Sequence, residues 1–227
     1  MLKKTVMLLF CLTGVLLNIA ICKLFAGLAA FPLYLDTVLT ISITLSCGLF
    51  WGILCGVLTN FISHTFLYFW GWEGYLFILC NAATAVITFL FVLFFPGELN
   101  LTGKRDVLKF NLPRKSQLFD IVIDRIFVIT LLSFSLCVAM SILGGLIASF
   151  IQLLRSSGDG QAANPGSYRD LGLTMFRQGF PLILAEILTR IPINIIDRLI
   201  SAFGGYGIAL AIAKIRKQWA MNTLERY

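Results

Sequence analysis

The feature that most limits what this chain can become is a set of long, unbroken apolar runs. The stretches 5–25, 75–95 and 126–154 each carry enough consecutive apolar residues to cross a bilayer, whose hydrocarbon core of about 30 Å takes roughly 20 helical residues. With 59% hydrophobic and only 13% charged residues, a soluble globule of this size would lack the polar surface it needs. The runs are solidly apolar rather than alternating, which excludes a β-barrel. The chain therefore reads as an all-α, polytopic membrane protein: one integral membrane domain over residues 1–227, a bundle of six transmembrane helices. The spans fall at about 5–25, 34–47, 49–70, 75–95, 126–154 and 194–213, the last preceded by a shorter apolar piece, Phe180–Ile191. The second span is short, so it must thin the bilayer, snorkel at its ends or line a cavity. The Gly144-Gly145 pair gives the fifth a place to bend or pack closely.

Lys and Arg set the orientation. Twelve lie before the first span, between the fourth and fifth, and after the sixth, against six on the other side. The positive-inside rule puts both termini in the cytoplasm of an inner-membrane, multi-pass protein. The N-terminus, MLKKTVMLLFCLTGVLLNIAIC, has the basic and apolar parts of a signal peptide. Ile21-Cys22 suits no cleavage site, so it is expected to stay as an uncleaved first helix. The net charge of +7 is explained by these topology-setting loops, and no nucleic-acid partner is implied. All six cysteines lie in apolar segments without a C-x-x-C pair, so no zinc site and no disulfide framework is expected. Two loops stand out: a basic cytoplasmic connector, 96–120, and an external loop, 156–179, rich in turn formers and able to serve as a lid or a tether.

With orientation set, the stretch Leu33–His64 acquires a polarity. Small or polar residues recur every fourth place at Gly48, Gly52, Gly56, Asn60 and His64, near one helix face. The glycines permit close approach of a neighbouring helix, and the last two positions offer hydrogen bonds nearer the outside. Asp36 opens the second span, Asn81 lies about two turns into the fourth, and Glu186, Arg190, Asn194, Asp197 and Ser201 fall on one face, with Pro192 expected to interrupt that helix. Ionisable groups inside a bilayer are costly and mark function by default. The pattern predicts an outward-facing cavity bordered by Asp36, Asn60, His64, Trp72, Asn81, Asn194 and Asp197, suited to a small, flat, polar ligand. Plainer roles exist for the same residues. Trp70, Trp72 and Tyr75 fit an interfacial aromatic belt, Glu186 and Arg190 an i,i+4 ion pair, and Asp197 a counter-charge for Arg190 or Arg198.

Catalytic signatures are poor. Gly97–Arg105 is one residue too long for a phosphate loop and has Arg105 where Ser or Thr is needed. No metal-ligand, nucleophile-elbow or paired-carboxylate motif occurs, so no enzyme is expected and no cofactor or metal should be held by this chain. Transport would draw on another subunit or an ion gradient.

The run PLYLDTVLT followed by GLFWGILCGVLTNFIS resembles the second and third helices of the substrate-binding (S) components of energy-coupling factor transporters. In one branch these read F-x-L-D-T-I-G-T and G-x-x-x-G-x-x-x-G-x-x-x-N. Asn18, Asn81 and IPINIIDRLISAFGGYGIA (191–209) are similar to the same branch, so the resemblance spans Asn18 to Ala209. It implies a six-helix protein with cytoplasmic ends that captures a vitamin or similar micronutrient. Delivery would occur on a T component driven by two ATPase subunits, which consume the ATP. It places Asp36, Thr37, Asn60, Asn81, Asn194 and Asp197 in the external, substrate-holding half. It gives the small-residue faces of the first three helices, with Gly14, Asn18, Gly48, Gly52 and Gly56, to docking. The chain departs from the pattern at Leu39, where glycine is usual. The A-x-x-x-A seam of the first helix is matched only by Ala26 and Ala30 at the external end, with Gly14 and Asn18 as a poorer substitute. The rival expectation is a membrane sensor domain, disfavoured because the sequence ends shortly after Ala213; a solitary S-like transporter is a further alternative.

Overall fold

The computed structural model describes residues 4–28, 33–68, 72–99, 101, 115–156, 175–176 and 178–224, and every regular element among them is helical. In order these are α1 (Lys4–Leu28), α2 (Val38–Cys47), α3 (Leu49–Ser63) continued by a π-helical turn (His64–Tyr68), a 3₁₀ segment (Trp72–Phe77) leading into α4 (Ile78–Phe94), a single turn α5 (Pro96–Leu99), and the long helices α6 (Lys115–Ser156) and α7 (Leu182–Leu224). Most of the basic connector and of the loop 156–179, with the question of a lid, lies outside the described residues, as does Trp70.

Five stretches are long and apolar enough to cross a membrane: Lys4–Phe25, Leu49–Phe66, Trp72–Phe94, Ile121–Leu154 and Leu182–Arg216. Their outer faces carry exposed Leu16, Phe127 and Leu153, as expected where lipid is the solvent. The segment expected as a second span does not join them. Its helix has ten residues, about 15 Å at 1.5 Å per residue, half the hydrocarbon thickness. Nine of the ten are buried, so α2 is a central post with protein around it rather than a lipid-facing crossing.

The composition of α2 explains how it tolerates that position. Ile41 and Leu45 belong to a core cluster with Leu132, Leu136 and Ala202. Val38, Leu39 and Ile43 belong to another with Val15, Cys55 and Ile212. Two of its hydroxyls are satisfied within the helix, Thr44 Oγ1 donating to Thr40 O and Ser46 Oγ to Ser42 O, both at 2.7 Å, the back-bonding habit of helical Ser and Thr.

Its ends are held from outside. The free amide of Leu39 in the first turn donates to Asn18 Oδ1 at 2.8 Å, which fills one of the orphan donors every helix start leaves. At the other end the Arg216 guanidinium donates to Ser46 O.

A single residue, Gly48, joins α2 to α3. Its φ of 98° is in the left-handed range that favours glycine. The two helices fold back on each other so tightly that a Cβ on Gly52 would fall 1.9 Å from Thr44 Oγ1. Gly145 has the same role between α6 and α7, where a Cβ would meet Ile187 Cγ1 at 2.5 Å. The expected close packing at Gly144-Gly145 is thus met by α7.

The expected break at Pro192 is absent. α7 is one helix of 43 residues through the proline, and it unites the apolar piece 180–191 with the span 194–213. Pro192 is exposed, and the carbonyl it leaves unbonded is a gap that helix bundles in membranes tolerate.

Candidate functional site

Continuity of α7 has a direct consequence for chemistry. Asp197 and Ser201 are buried, Glu186 is 2% exposed, and Arg190 and Asn194 are half-buried, whereas Leu188, Ile196, Ile200 and Phe203 on the other side are exposed. One polar stripe therefore runs down the inner face of a helix whose outer face is apolar.

This stripe faces a cavity of about 230 Å³. Its lining draws on every major helix: Cys22 of α1, Asp36 at the start of α2, Asn60 and His64 at the end of α3, Asn81 of α4, Gly144 of α6 and Arg190, Asn194 and Arg198 of α7. Late residues of α1, α3 and α6 meet early residues of α2, α4 and α7, so successive segments run in alternate directions. Tyr34, Phe77 and Met140 supply apolar wall.

Arg198 organises the floor. Its Nη1 donates to Thr37 Oγ1 at 2.5 Å, and its Nη2 lies 2.7 Å from Asp197 Oδ2 and 3.8 Å from Asp36 Oδ1. Asp197, fully buried, also accepts the Leu35 amide at 2.8 Å through Oδ1. Leu35 needs such an anchor, because it holds a φ of 44°, a left-handed conformation that costs a branched residue of order 1–3 kcal/mol. A buried ion pair contributes little net stability, but removing one partner leaves a charge stranded and costs about 3–5 kcal/mol. Asp197 is thus the fixed counter-charge of Arg198 and the clamp on the approach to α2. A second pair lies about three turns earlier on α7: Glu186 accepts Gln152 Nε2 at 2.7 Å and sits 3.5 Å from Arg190 Nη2.

The amides of the site each donate to a protein group. Asn60 Nδ2 donates to Phe77 O at 3.3 Å, Asn81 Nδ2 reaches Gly56 O at 3.5 Å, and Asn194 Nδ2 donates to Ser141 Oγ at 2.9 Å. Each NH2 thus has a partner in the protein and keeps a second N–H, and Asn81 also hydrogen-bonds Asp36. Asn60 is 7% exposed, and its Oδ1 is buried without a hydrogen-bond partner, as is Asp36 Oδ1.

Over the site, His64 opens a π-helical turn, a geometry frequent at functional positions. Its ring lies on the backbone of the 3₁₀ segment, where a Cβ on Gly74 would fall 2.7 Å from Nδ1. Tyr75 closes the same corner, its hydroxyl 3.0 Å from Thr65 Oγ1.

Of the residues expected around the ligand, Asp36, Asn60, His64, Asn81 and Asn194 line the cavity. Thr37 and Asp197 stand one layer behind and act through Arg198. Trp72 is 61% exposed and away from the cavity, the position of a belt residue. The residues expected to form a docking face are committed within the chain. Gly14 packs against Ile43 and Cys55, Gly52 against Thr44 and Gly56 against Asn81. Asn18 is fully buried and bonded to α2, and Gly48 is the α2–α3 joint. Sequence reasoning missed Arg198 as the hub and Arg190 as a lining group. The available signal was that each is an arginine deep in an apolar helix. Among the described residues no group of three or more His, Cys, Asp or Glu side chains is placed to hold a metal ion.

No protein-family model, no curated protein and no solved structure matches the chain.

Proposed function

We propose that the chain is a substrate-capture subunit of an energy-coupling-factor-type importer, holding a vitamin or similar small micronutrient in a cavity open to the outside. The observation that carries this reading is the convergence of Asp36, Asn60, His64, Asn81 and Asn194, from four separate segments, on one cavity at one end of the bundle. Polar groups are expensive in a bilayer interior and are kept where a ligand or an ion uses them. The alternating direction of the segments also fits a six-segment arrangement with both termini in the cytoplasm of the inner membrane. In that arrangement α2 counts as the sixth, internal segment, and the cavity falls on the side poor in Lys and Arg.

On this reading the partners are the micronutrient, surrounding lipid, a T component and two ATPase subunits. The chain itself carries out no catalysis and binds no cofactor, and ATP is consumed by the partners. Because the glycine stripe is used up in internal packing, the T component would dock on a lipid-facing surface.

Mild solubilisation of the affinity-tagged chain, followed by mass spectrometry of proteins and small molecules together, tests the proposal. Recovery of a small polar molecule with a T component and ATPases is the expected outcome. A ligand recovered without ATPases moves the assignment to a sensor domain or a solitary transporter. Failure to retain any small molecule, under conditions that preserve the folded chain, removes the capture reading.

A further inference from the structure

The shortness of α2 bears on how the cavity is reached, given that it is a capture site as proposed above. Among the helices, α1 packs extensively on α2 and α3 alone, and α7 on α6 and α2. The others thus form an open ring around α2, with a seam between α1 and α7. Towards the cytoplasmic end α2 fills that seam, and Ile208 and Ile212 of α7 share an apolar cluster with Cys11 and Val15 of α1. Further out α2 is missing, because its helix begins only at Val38. What bridges the seam there is the non-helical strap 33–37. Its Leu33 packs on the α1–α3 cluster, and its Leu35 amide is bonded to Asp197 of α7. We infer that this part of the seam is a lateral window, through which an amphipathic ligand enters from the outer leaflet with its polar head foremost.

Depth follows from α7. Asp197 stands fifteen residues after Leu182 and nineteen before Arg216 in an apolar stretch of 35 residues, about 22 Å from its outer end at 1.5 Å per residue. The strap, held to that carboxylate at 2.8 Å, therefore crosses deep within a hydrocarbon layer about 30 Å thick. Irregular backbone at such depth is kept only where protein or a cavity covers it. Tyr34 on this strap is 36% exposed, the most open of the side chains that line the cavity. Other sides of the wall are interlocked. A Cβ on Gly56 would fall 3.0 Å from Asn81 O between α3 and α4, and one on Gly145 3.0 Å from Ile187 N between α6 and α7. His64 covers the outer corner against Gly74. A side opening at the level of Asp197 meets acyl chains before it meets water.

The lining is graded in the same sense. Cys22 and Tyr34 stand on the window side, whereas Asn60, Ser63 and Asn81 line the wall formed by α3 and α4. A polar head is accommodated against that wall, where hydrogen-bonding groups offset its loss of water, and an apolar portion is accommodated beside Cys22 and Tyr34. Size agrees. The cavity's 230 Å³ is about eight times the ~30 Å³ that a water molecule claims in the liquid, and it lies below the range of drug-sized pockets. It encloses a head of about one ring, and a longer apolar chain would trail through the window into lipid.

The test uses the full-length chain in phosphatidylcholine nanodiscs and two photoactivated carbene probes, with insertions located by peptide mass spectrometry. One probe is a phosphatidylcholine bearing a diazirine in mid-chain, and the other is a small water-soluble diazirine alcohol. Leu16 and Phe127, exposed on outer faces of the bundle, serve as controls for lipid contact. The lipid probe should label Tyr34 and, through the window, Met140, a cavity-lining side chain only 5% exposed. The aqueous probe should label neither. Tyr34→Ala removes an aromatic side chain that covers roughly 150–250 Å², and it should raise lipid labelling of Met140 relative to Phe127. If that variant does not fold, the labelling pattern of the wild type decides alone. Aqueous labelling of Met140, with or without lipid labelling, overturns the inference, and so does the absence of Met140 labelling by either probe. Lipid labelling that stops at Tyr34 also overturns it, because the seam is then a surface groove. A co-purifying ligand without an apolar portion would refute the amphiphile assignment while leaving capture intact. Lipid labelling of Met140 on a chain that retains no small molecule would refute capture while leaving the window intact.

Discussion

The backbone amide of Leu35 donates to the carboxylate of Asp197 at 2.8 Å, joining the approach to α2 with the middle of α7 across 162 residues of chain. That one carboxylate also neutralises Arg198, the side chain on which the floor of the cavity is built. The same contact therefore fixes a strained backbone and the floor of the cavity.

Replacing Asp197 should be among the most damaging single changes in the molecule. Asp197→Ala strands Arg198 and frees the Leu35 amide, with an expected loss of about 3–5 kcal/mol. Asp197→Asn keeps an acceptor for Leu35 and should cost less. Melting curves of the purified variants, with the yield of folded protein from membranes, check the order. Equal stability of wild type and Asp197→Ala would show that the clamp is idle.

Asn60 should behave in the opposite way. It lines the cavity, and its contact to Phe77 O is long at 3.3 Å, so Asn60→Ala is expected to lower ligand affinity about tenfold or more with a small change in melting temperature. Isothermal binding of whichever ligand co-purifies separates the two effects. A collapse of stability with unaltered affinity in the surviving fraction would make Asn60 a packing residue.

Gly52 is a steric test of the α2–α3 hairpin. A Cβ there would lie 1.9 Å from Thr44 Oγ1 and 2.9 Å from its Cβ, an overlap no rotamer of Ala can avoid. Gly52→Ala should destabilise by about 1–3 kcal/mol, the usual cost of overpacking. Gly52→Ala with Thr44→Gly should recover part of that loss. Additive losses in the double variant would mean that the two residues do not touch.

Pro192 and Trp72 provide controls on exposed positions. Pro192→Ala restores an amide donor in the interior of a helix and should leave the protein equally or more stable, since proline there costs up to ~3 kcal/mol. Trp72→Ala, at a side chain 61% exposed, should leave binding within about twofold, because an exposed belt residue supplies no contact inside the cavity. A large loss of affinity in Trp72→Ala would place the 3₁₀ segment inside the binding site.

Much of the bundle was legible from hydropathy alone, because a 20-residue apolar run has few alternatives in water or lipid. The burial of α2 was not. VLTISITLSC passes for a weak span in any averaging window, and only the surrounding helices show that Thr40, Ser42, Thr44 and Ser46 all face protein. The cavity residues Asp36, Asn60, His64, Asn81 and Asn194 stood out because each is a polar group in an apolar run at a similar depth. Arg198 was hidden by its neighbour. An Asp-Arg dipeptide reads as a self-neutralising pair, and the contact that gives it a wider role, to Thr37, spans 161 residues. The glycine stripe was legible as close packing, but sequence spacing cannot say which helix fills each notch, and here Gly52 and Gly56 serve different partners. Pro192 misled for a related reason: local rules forbid it, and an apolar outer face tolerates it.

The one-residue joint at Gly48 bears on how the chain is made. α2 is too short, and with Thr40, Ser42, Thr44 and Ser46 too rich in hydroxyls, to partition from a translocation channel into lipid by itself. Fused to α3 through a single glycine, it has no loop long enough to wait outside while its neighbour inserts. The two must leave the channel as one hairpin, so biogenesis of the central post depends on the helix it is tied to. A slow or failed hand-over of that hairpin would leave the nascent protein hollow beside its polar cavity.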